Sequence, residues 1–323
     1  MKTRTLLACA FAATAALAST AWAEAPFPSR PVTLVIPFPP GGATDVVGRL
    51  IGKTLGDKLG QPVIVDNRAG AGTIIGATYT AKAAPDGYTL LISSGTTFTV
   101  NPALQPKLSY DPLKSFEPIG LVARTGLILL ANKDVPASTP KQYVELVKAN
   151  PDKYSYGSFG TGTTAQFTGE LMLRATGTKM VHVPYKGSAP AMTDLMGGQI
   201  PFSVDTVSAA IPQLKSGKIK AIAVTTAKRS ALLPNVPTFA ESGFDLDADT
   251  WIAVVAPHGL PPAVKARLEK ALQDTVADPE VREKLIGAGL EPGWQNGAAT
   301  ASLIEKELPL MRAIALRANI RAE

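Results

Sequence analysis

The hydrophobic pattern of the chain alternates between short unbroken apolar runs and longer stretches in which apolar residues return every three or four positions. The first rhythm belongs to a buried strand and the second to a helix with one packed face. Val32-Thr33-Leu34-Val35-Ile36 is the first run, and Val47, Leu50, Ile51, Leu55 and Leu59 follow it at helical spacing. The same reading predicts strands over 62–66 and 88–93. A helix over 74–84 lies between them and is stopped by Pro85-Asp86-Gly87. Strand, helix, strand, helix, strand implies a parallel sheet with right-handed crossovers.

Residues 115–132 break this rhythm. They form one long apolar, β-rich segment containing Leu121-Val122-Ala123 and Gly126-Leu127-Ile128-Leu129-Leu130, long enough to pass from one lobe to another. The alternation then restarts, with helices predicted over 139–149, 163–175, 188–196 and 207–214. Strands are predicted over 154–157, 179–183, 201–204 and 219–225. Trp251-Ile252-Ala253-Val254-Val255-Ala256 is a second candidate crossing strand, and helices over 263–276, 279–287 and 298–318 follow. Pro261-Pro262 suits the first turn of the first of these. The expected fold is α/β with two lobes joined by two crossing strands. Residues 24–124 and 250–323 make lobe 1, and residues 125–249 make lobe 2.

The N-terminus follows another pattern. Lys2 and Arg4 precede a short apolar run over 6–18, and Ala21-Trp22-Ala23 is a small-residue cleavage site. That is a secretory signal, and the run is shorter than the roughly 20 residues of a membrane span. Cleavage after Ala23 leaves 300 residues and removes Cys9, the only cysteine. The mature chain then has no disulfide and no thiol chemistry. It keeps 30 basic residues against 26 acidic, a net charge of +4. The basic residues are scattered, which gives no nucleic-acid footprint.

Two strand-to-helix junctions carry the candidate chemistry. The first is Pro37-Phe38-Pro39-Pro40-Gly41-Gly42-Ala43-Thr44-Asp45, and the second is Tyr156-Gly157-Ser158-Phe159-Gly160-Thr161-Gly162-Thr163-Thr164. Such junctions aim unpaired backbone N–H groups past the strand end, where they hold an anion without a cationic side chain. Gly41 and Gly42 allow close approach to a ligand, and Thr44 caps the helix or donates a hydroxyl. Asp45 suits first-turn electrostatics better than ligand contact. Ser158, Thr161, Thr163 and Thr164 offer hydroxyls, of which ordinary capping uses one or two. Ser93-Ser94-Gly95-Thr96-Thr97 ends the third strand with more of them. Pro184-Tyr185-Lys186-Gly187-Ser188 and Asp205-Thr206 end later strands, where open α/β sheets bind ligands. Lys186 either reaches the ligand or is simply solvated. Phe38, Phe159 and Tyr185 either wall the cleft or pack within their own lobes.

Catalytic patterns are weak. His182 and His258 are the only histidines, and neither has Cys or carboxylate neighbours at metal-ligand spacing. Gly157-Ser158-Phe159-Gly160 falls short of a nucleophile elbow, because Tyr156 stands where that motif needs glycine. No Walker lysine follows Gly41-Gly42. No metal and no cofactor are expected, and the chain reads as a binding protein. The alternatives are a secreted α/β hydrolase or the effector-binding domain of a regulator.

The chain resembles the Bug-type periplasmic solute receptors, the substrate-binding proteins of tripartite tricarboxylate transporters. The first junction carries the resemblance together with Val65-Asp66-Asn67-Arg68-Ala69-Gly70-Ala71-Gly72, Pro85-Asp86-Gly87-Tyr88-Thr89-Leu90-Leu91, Tyr156-Gly157-Ser158, Val183-Pro184-Tyr185-Lys186-Gly187, Gly197-Gly198-Gln199-Ile200 and the 251–257 strand. One departure is Gly70-Ala71-Gly72-Thr73, where the family more often has a further glycine. The resemblance implies a two-lobed periplasmic binding protein of type II, a Venus flytrap that closes on a small organic carboxylate. It implies a membrane transporter or a sensor as partner, and the chain is expected to be a monomer. It also implies ligand contacts from the loops 38–45, 158–164 and 185–187, which include Pro40, Gly160, Gly162 and Gly187, and from Asp205.

Overall fold

The structure, a computed structural model, describes residues 26–320 apart from 106 and 151. The secretion signal over 1–23 therefore lies outside the described residues.

β1 (Val32–Ile36) is apolar on both faces and lies between two parallel neighbours, as a near-continuous apolar run requires. α1 (Ala43–Leu59) buries Val47, Ile51, Leu55 and Leu59 along one stripe, and left-handed Gly60 ends it. β2 (Val63–Asn67), α2 (Ile74–Ala81) and β3 (Thr89–Ser94) complete the first α/β unit. A π-turn over Thr96–Val100 and the short α3 (Asn101–Leu104) lead to β4 (Phe116–Asn132).

The second unit runs through α4 (Pro140–Ala149), β5 (Ser155–Ser158), α5 (Thr164–Thr176) and β6 (Val181–Pro184). It continues with α6 (Ser188–Met196), β7 (Phe202–Thr206), α7 (Val207–Leu214) and β8 (Ile219–Val224). β9 (Asp249–Pro257), α8 (Pro262–Ala277), α9 (Pro279–Gly287), β10 (Glu291–Asn296) and α10 (Gly297–Ala318) end the described chain.

The strands follow the order β2-β1-β3-β9-β4-β7-β5-β6, with β8 and β10 also paired to β4. β2-β1-β3 is parallel as expected, and so is β7-β5-β6. Every pairing of β4 or β9 is antiparallel, because one strand leaves the first unit and the other returns to it. β4 changes partners in mid-strand: Gly126 lies opposite Asp249 of β9, and Leu127 lies opposite Thr206 of β7. On the return path Ala248 still donates to the Thr225 carbonyl at 2.9 Å, and Asp249 already pairs with β4. The second crossing is thus at the start of β9, and 251–256 lie wholly against β3 and β4.

Each unit has its own apolar core. One core joins Leu34, Ile36, Val47, Ile51, Ile252 and Leu272. Another joins Leu129, Tyr143, Tyr156, Phe202, Val204 and Ile222. A small cluster of Val100, Leu104, Phe167, Ala315 and Ile320 ties α5 of the second unit to α3 and the C-terminal segment.

Candidate functional site

Helices of the two units begin beyond the carboxyl ends of strands, and their N-caps differ in kind. Thr139, Thr163 and Thr206 each accept a backbone N–H with their own hydroxyl, at the starts of α4, α5 and α7. Gly42 and Gly187, the N-caps of α1 and α6, have no side chain to do so. A glycine cap leaves first-turn N–H donors for another acceptor. These two uncapped termini sit against each other: a Cβ added at Gly42 would lie 3.5 Å from Ser188 Oγ.

Between them lies a small inner cavity of about 30 Å³. The first unit and β9 line it with Phe38, Pro39, Gly42, Ala43, Thr44, Ser94, Thr250 and Ile252. The second unit lines it with Phe159, Thr164, Gly187, Ser188 and Thr206. Phe38 and Phe159 meet edge to face at 6.3 Å. They also wall an outer space of about 620 Å³ with Ala69–Ile74, Gln105, Gly160, Thr161, Thr163, Tyr185 and Lys186. The two units touch across the cleft. The Thr164 N–H donates to Thr96 Oγ1 at 3.1 Å, and a Cβ on Gly187 would come within 2.8 Å of Pro39. The cleft is closed.

Of the residues singled out from the sequence, Phe38, Gly42, Thr44, Ser94 and Gly187 line the inner cavity. Gly160, Thr161, Thr163, Tyr185 and Lys186 line the outer space. Pro40, Gly41, Asp45, Thr96, Ser158, Gly162 and Asp205 line neither. Asp45 is nearly fully buried and accepts from the Gly41 N–H, Arg49 and Asn67 at 2.9–3.0 Å. Burial alone would raise its pKa, but those bonds outweigh burial and hold the carboxyl below its ordinary value. Asp45 therefore fixes the loop, and the Gly41 N–H is spent on it. Gly162 donates its N–H to Gln166 at 2.6 Å, and Thr96 is engaged with Thr164.

Ser158 makes a contact with a catalytic look, a 2.7 Å bond to His182 Nε2. A triad would need an acid on the far ring nitrogen, and His182 Nδ1 is buried without a partner. Burial lowers the His182 pKa to about 4, so the ring is neutral near pH 7. Ser158 also bonds the Gly160 N–H and carbonyl, which makes the pair a brace for the glycine loop.

Asp205 stands directly behind the inner wall. Its Oδ1 accepts from Ser188 Oγ at 2.9 Å and from the Thr206 N–H at 2.7 Å, and its Oδ2 has no partner. Burial pushes its pKa up to about 7, against the lowering effect of those bonds. Tyr185 donates to Asp194 at 2.8 Å, and burial with that carboxylate raises its pKa to about 12. Thr250 and Ile252 were not legible as site residues, since they belong to an apolar strand. The polar Thr250 at the crossing point is the signal that could have marked it. Among the described residues no group of His, Cys, Asp or Glu is placed to hold a metal ion. Nor is any described helix long and apolar enough to cross a membrane.

A family model described as the tripartite tricarboxylate transporter family receptor matches residues 47–320. The chain belongs to this receptor family. It is 36% identical to protein BugT of Bordetella pertussis over 92% of each chain. The receptor also superimposes on the periplasmic binding protein BugD with a TM-score of 0.87 and 37% identity, over 92% of this chain and all of that one. A Rhodopseudomonas palustris protein solved with adipate matches it with a TM-score of 0.88 and 34% identity, over 91% of this chain and 99% of that one.

Proposed function

We propose that this receptor works outside the cytoplasm, binds a small organic carboxylate in the inner cavity and hands it to a membrane transporter or a sensor. The observation that carries this reading is the pair of glycine-capped helix N-termini facing each other across a closed cavity. Their unused N–H donors and dipoles favour a carboxylate without any cationic side chain. A related protein with adipate bound agrees with that chemistry. The outer space, with Tyr185 and Lys186 at its rim, is the ligand's entry path or holds its distal end.

In this reading the chain is exported, cut after Ala23 and acts as a monomer. Residues 24–124 with 250–323 move as one lobe and residues 125–249 as the other. It is not an enzyme: the Ser158–His182 pair lacks its third member and does not reach the cavity wall. The test is a melting screen against mono-, di- and tricarboxylates. A ligand at 100 times its dissociation constant adds about 2.7 kcal/mol of stability. No upward shift with any acid in the library would contradict the reading.

A further inference from the structure

Asp205 is fully buried, and only Ser188 and Thr206 separate it from the inner cavity. Its Oδ2 finds no donor at all. Such a carboxyl is expensive to keep charged. We propose that Asp205 couples ligand binding to proton uptake: it takes one proton from solvent when a carboxylate enters the cavity, and this frees the Ser188 hydroxyl to donate to that carboxylate. The inference rests on the carboxylate reading of the site.

The geometry supplies the coupling. Ionised Asp205 holds the Ser188 hydroxyl hydrogen, so Ser188 presents lone pairs to the cavity. A ligand oxygen against Ser188 would then sit about 5 Å from a second negative charge, two hydrogen bonds in series. Like charges at that distance favour protonation. The proton settles on Oδ2, and no bond between heavy atoms changes. The pKa near 7 in the free protein places this step in the neutral range.

Among the described residues no charged group of the elements packed against β7 stands in for Asp205. β4, β5, α5, α6 and α7 pack against β7. β5 and α7 carry no charged residue. On β4, Glu117 is paired with Lys265 and His258, and Arg124 is paired with Asp249. On α5, Glu170 bonds Tyr156 and Arg174 bonds the Arg317 carbonyl. On α6, Asp194 bonds Tyr185, and across the cavity Asp45 is held by Arg49. None of these acts on the Asp205 carboxyl.

The test is calorimetry with acetate, benzoate, malate, adipate and citrate, run in buffers of different ionisation enthalpy. For an acid that binds, nearly one proton should be taken up per ligand at pH 8 and much less at pH 6. Affinity should fall about tenfold per pH unit above pH 7, the slope of one linked proton. Asp205→Asn should bind without proton uptake and with a flat pH profile. Binding with no proton uptake at pH 8 overturns the coupling and leaves the carboxylate site standing. Uptake that persists in Asp205→Asn assigns the proton to another group and also overturns it. If none of the acids binds, the carboxylate reading fails and the coupling with it.

Discussion

Asp45 and Asp205 each stand at the start of a helix that follows an apolar strand, and their surroundings give them opposite roles. Asp45 gathers three donors and is held ionised. Asp45→Asn removes charge-assisted bonds worth about 1.5–3 kcal/mol each in typical cases. It should lower unfolding stability in urea at pH 7 by that order. Unchanged stability would mean the loop does not depend on the cluster. Asp205 behaves in the reverse sense. Its folded pKa of about 7 lies above the ordinary 3.8, so the folded state binds the proton more tightly. That contribution is full below pH 4 and is lost as pH rises through 7. Relative to wild type, Asp205→Asn should therefore gain stability between pH 4 and 7, on the order of 1 kcal/mol per pH unit. A constant difference across that window would contradict the assignment. The sequence puts Asp45 in the first turn of a helix and Asp205 at a strand end, but it does not show the partners that set their charge. Asp45 is defined by Asn67, two elements away, and Asp205 by the lack of any partner on Oδ2.

At the scale of elements the apolar periodicity was a good guide wherever a segment buries one face or both. β1, α6, α7 and α9 have the bounds expected, and the other strands and helices of the alternation shift by a few residues. β10 was not legible, because Glu291-Pro292-Gly293-Trp294 has no strand pattern; the strand is exposed at its ends, half-buried between them and pairs with β4. The π-turn at Thr96–Val100 was equally hidden, since its threonines are held by tertiary bonds to Thr73 and Thr164. The Phe167 cluster joins elements far apart in sequence, which no local pattern reveals. Truncating this buried ring should cost about 3–5 kcal/mol, as in other cores. Urea unfolding of Phe167→Ala measures it, and a loss below about 1 kcal/mol would show that the cluster contributes little to holding the halves.

For the whole molecule the decisive property is that the two halves close on each other over a cavity. Gly72 reports on that closure. It is left-handed at φ +57°, where alanine costs about 1–2 kcal/mol, and a Cβ there would lie 2.5 Å from the Thr161 carbonyl oxygen across the cleft. Opening removes that clash. Gly72→Ala should therefore lower the melting temperature of the free protein only slightly while weakening ligand binding tenfold or more. Equal affinity in the two proteins would mean that binding does not require these loops to meet.

The central claim, that paired helix N-termini grip a carboxylate, is tested most directly by calorimetry on matched compounds: an acid found in the melting screen and its neutral amide, with the wild-type protein at pH 7. The account predicts that the amide binds at least ten times more weakly, because it brings no negative charge to the N–H donors of Gly42–Thr44 and Gly187–Ser188. Equal affinity for acid and amide would contradict it.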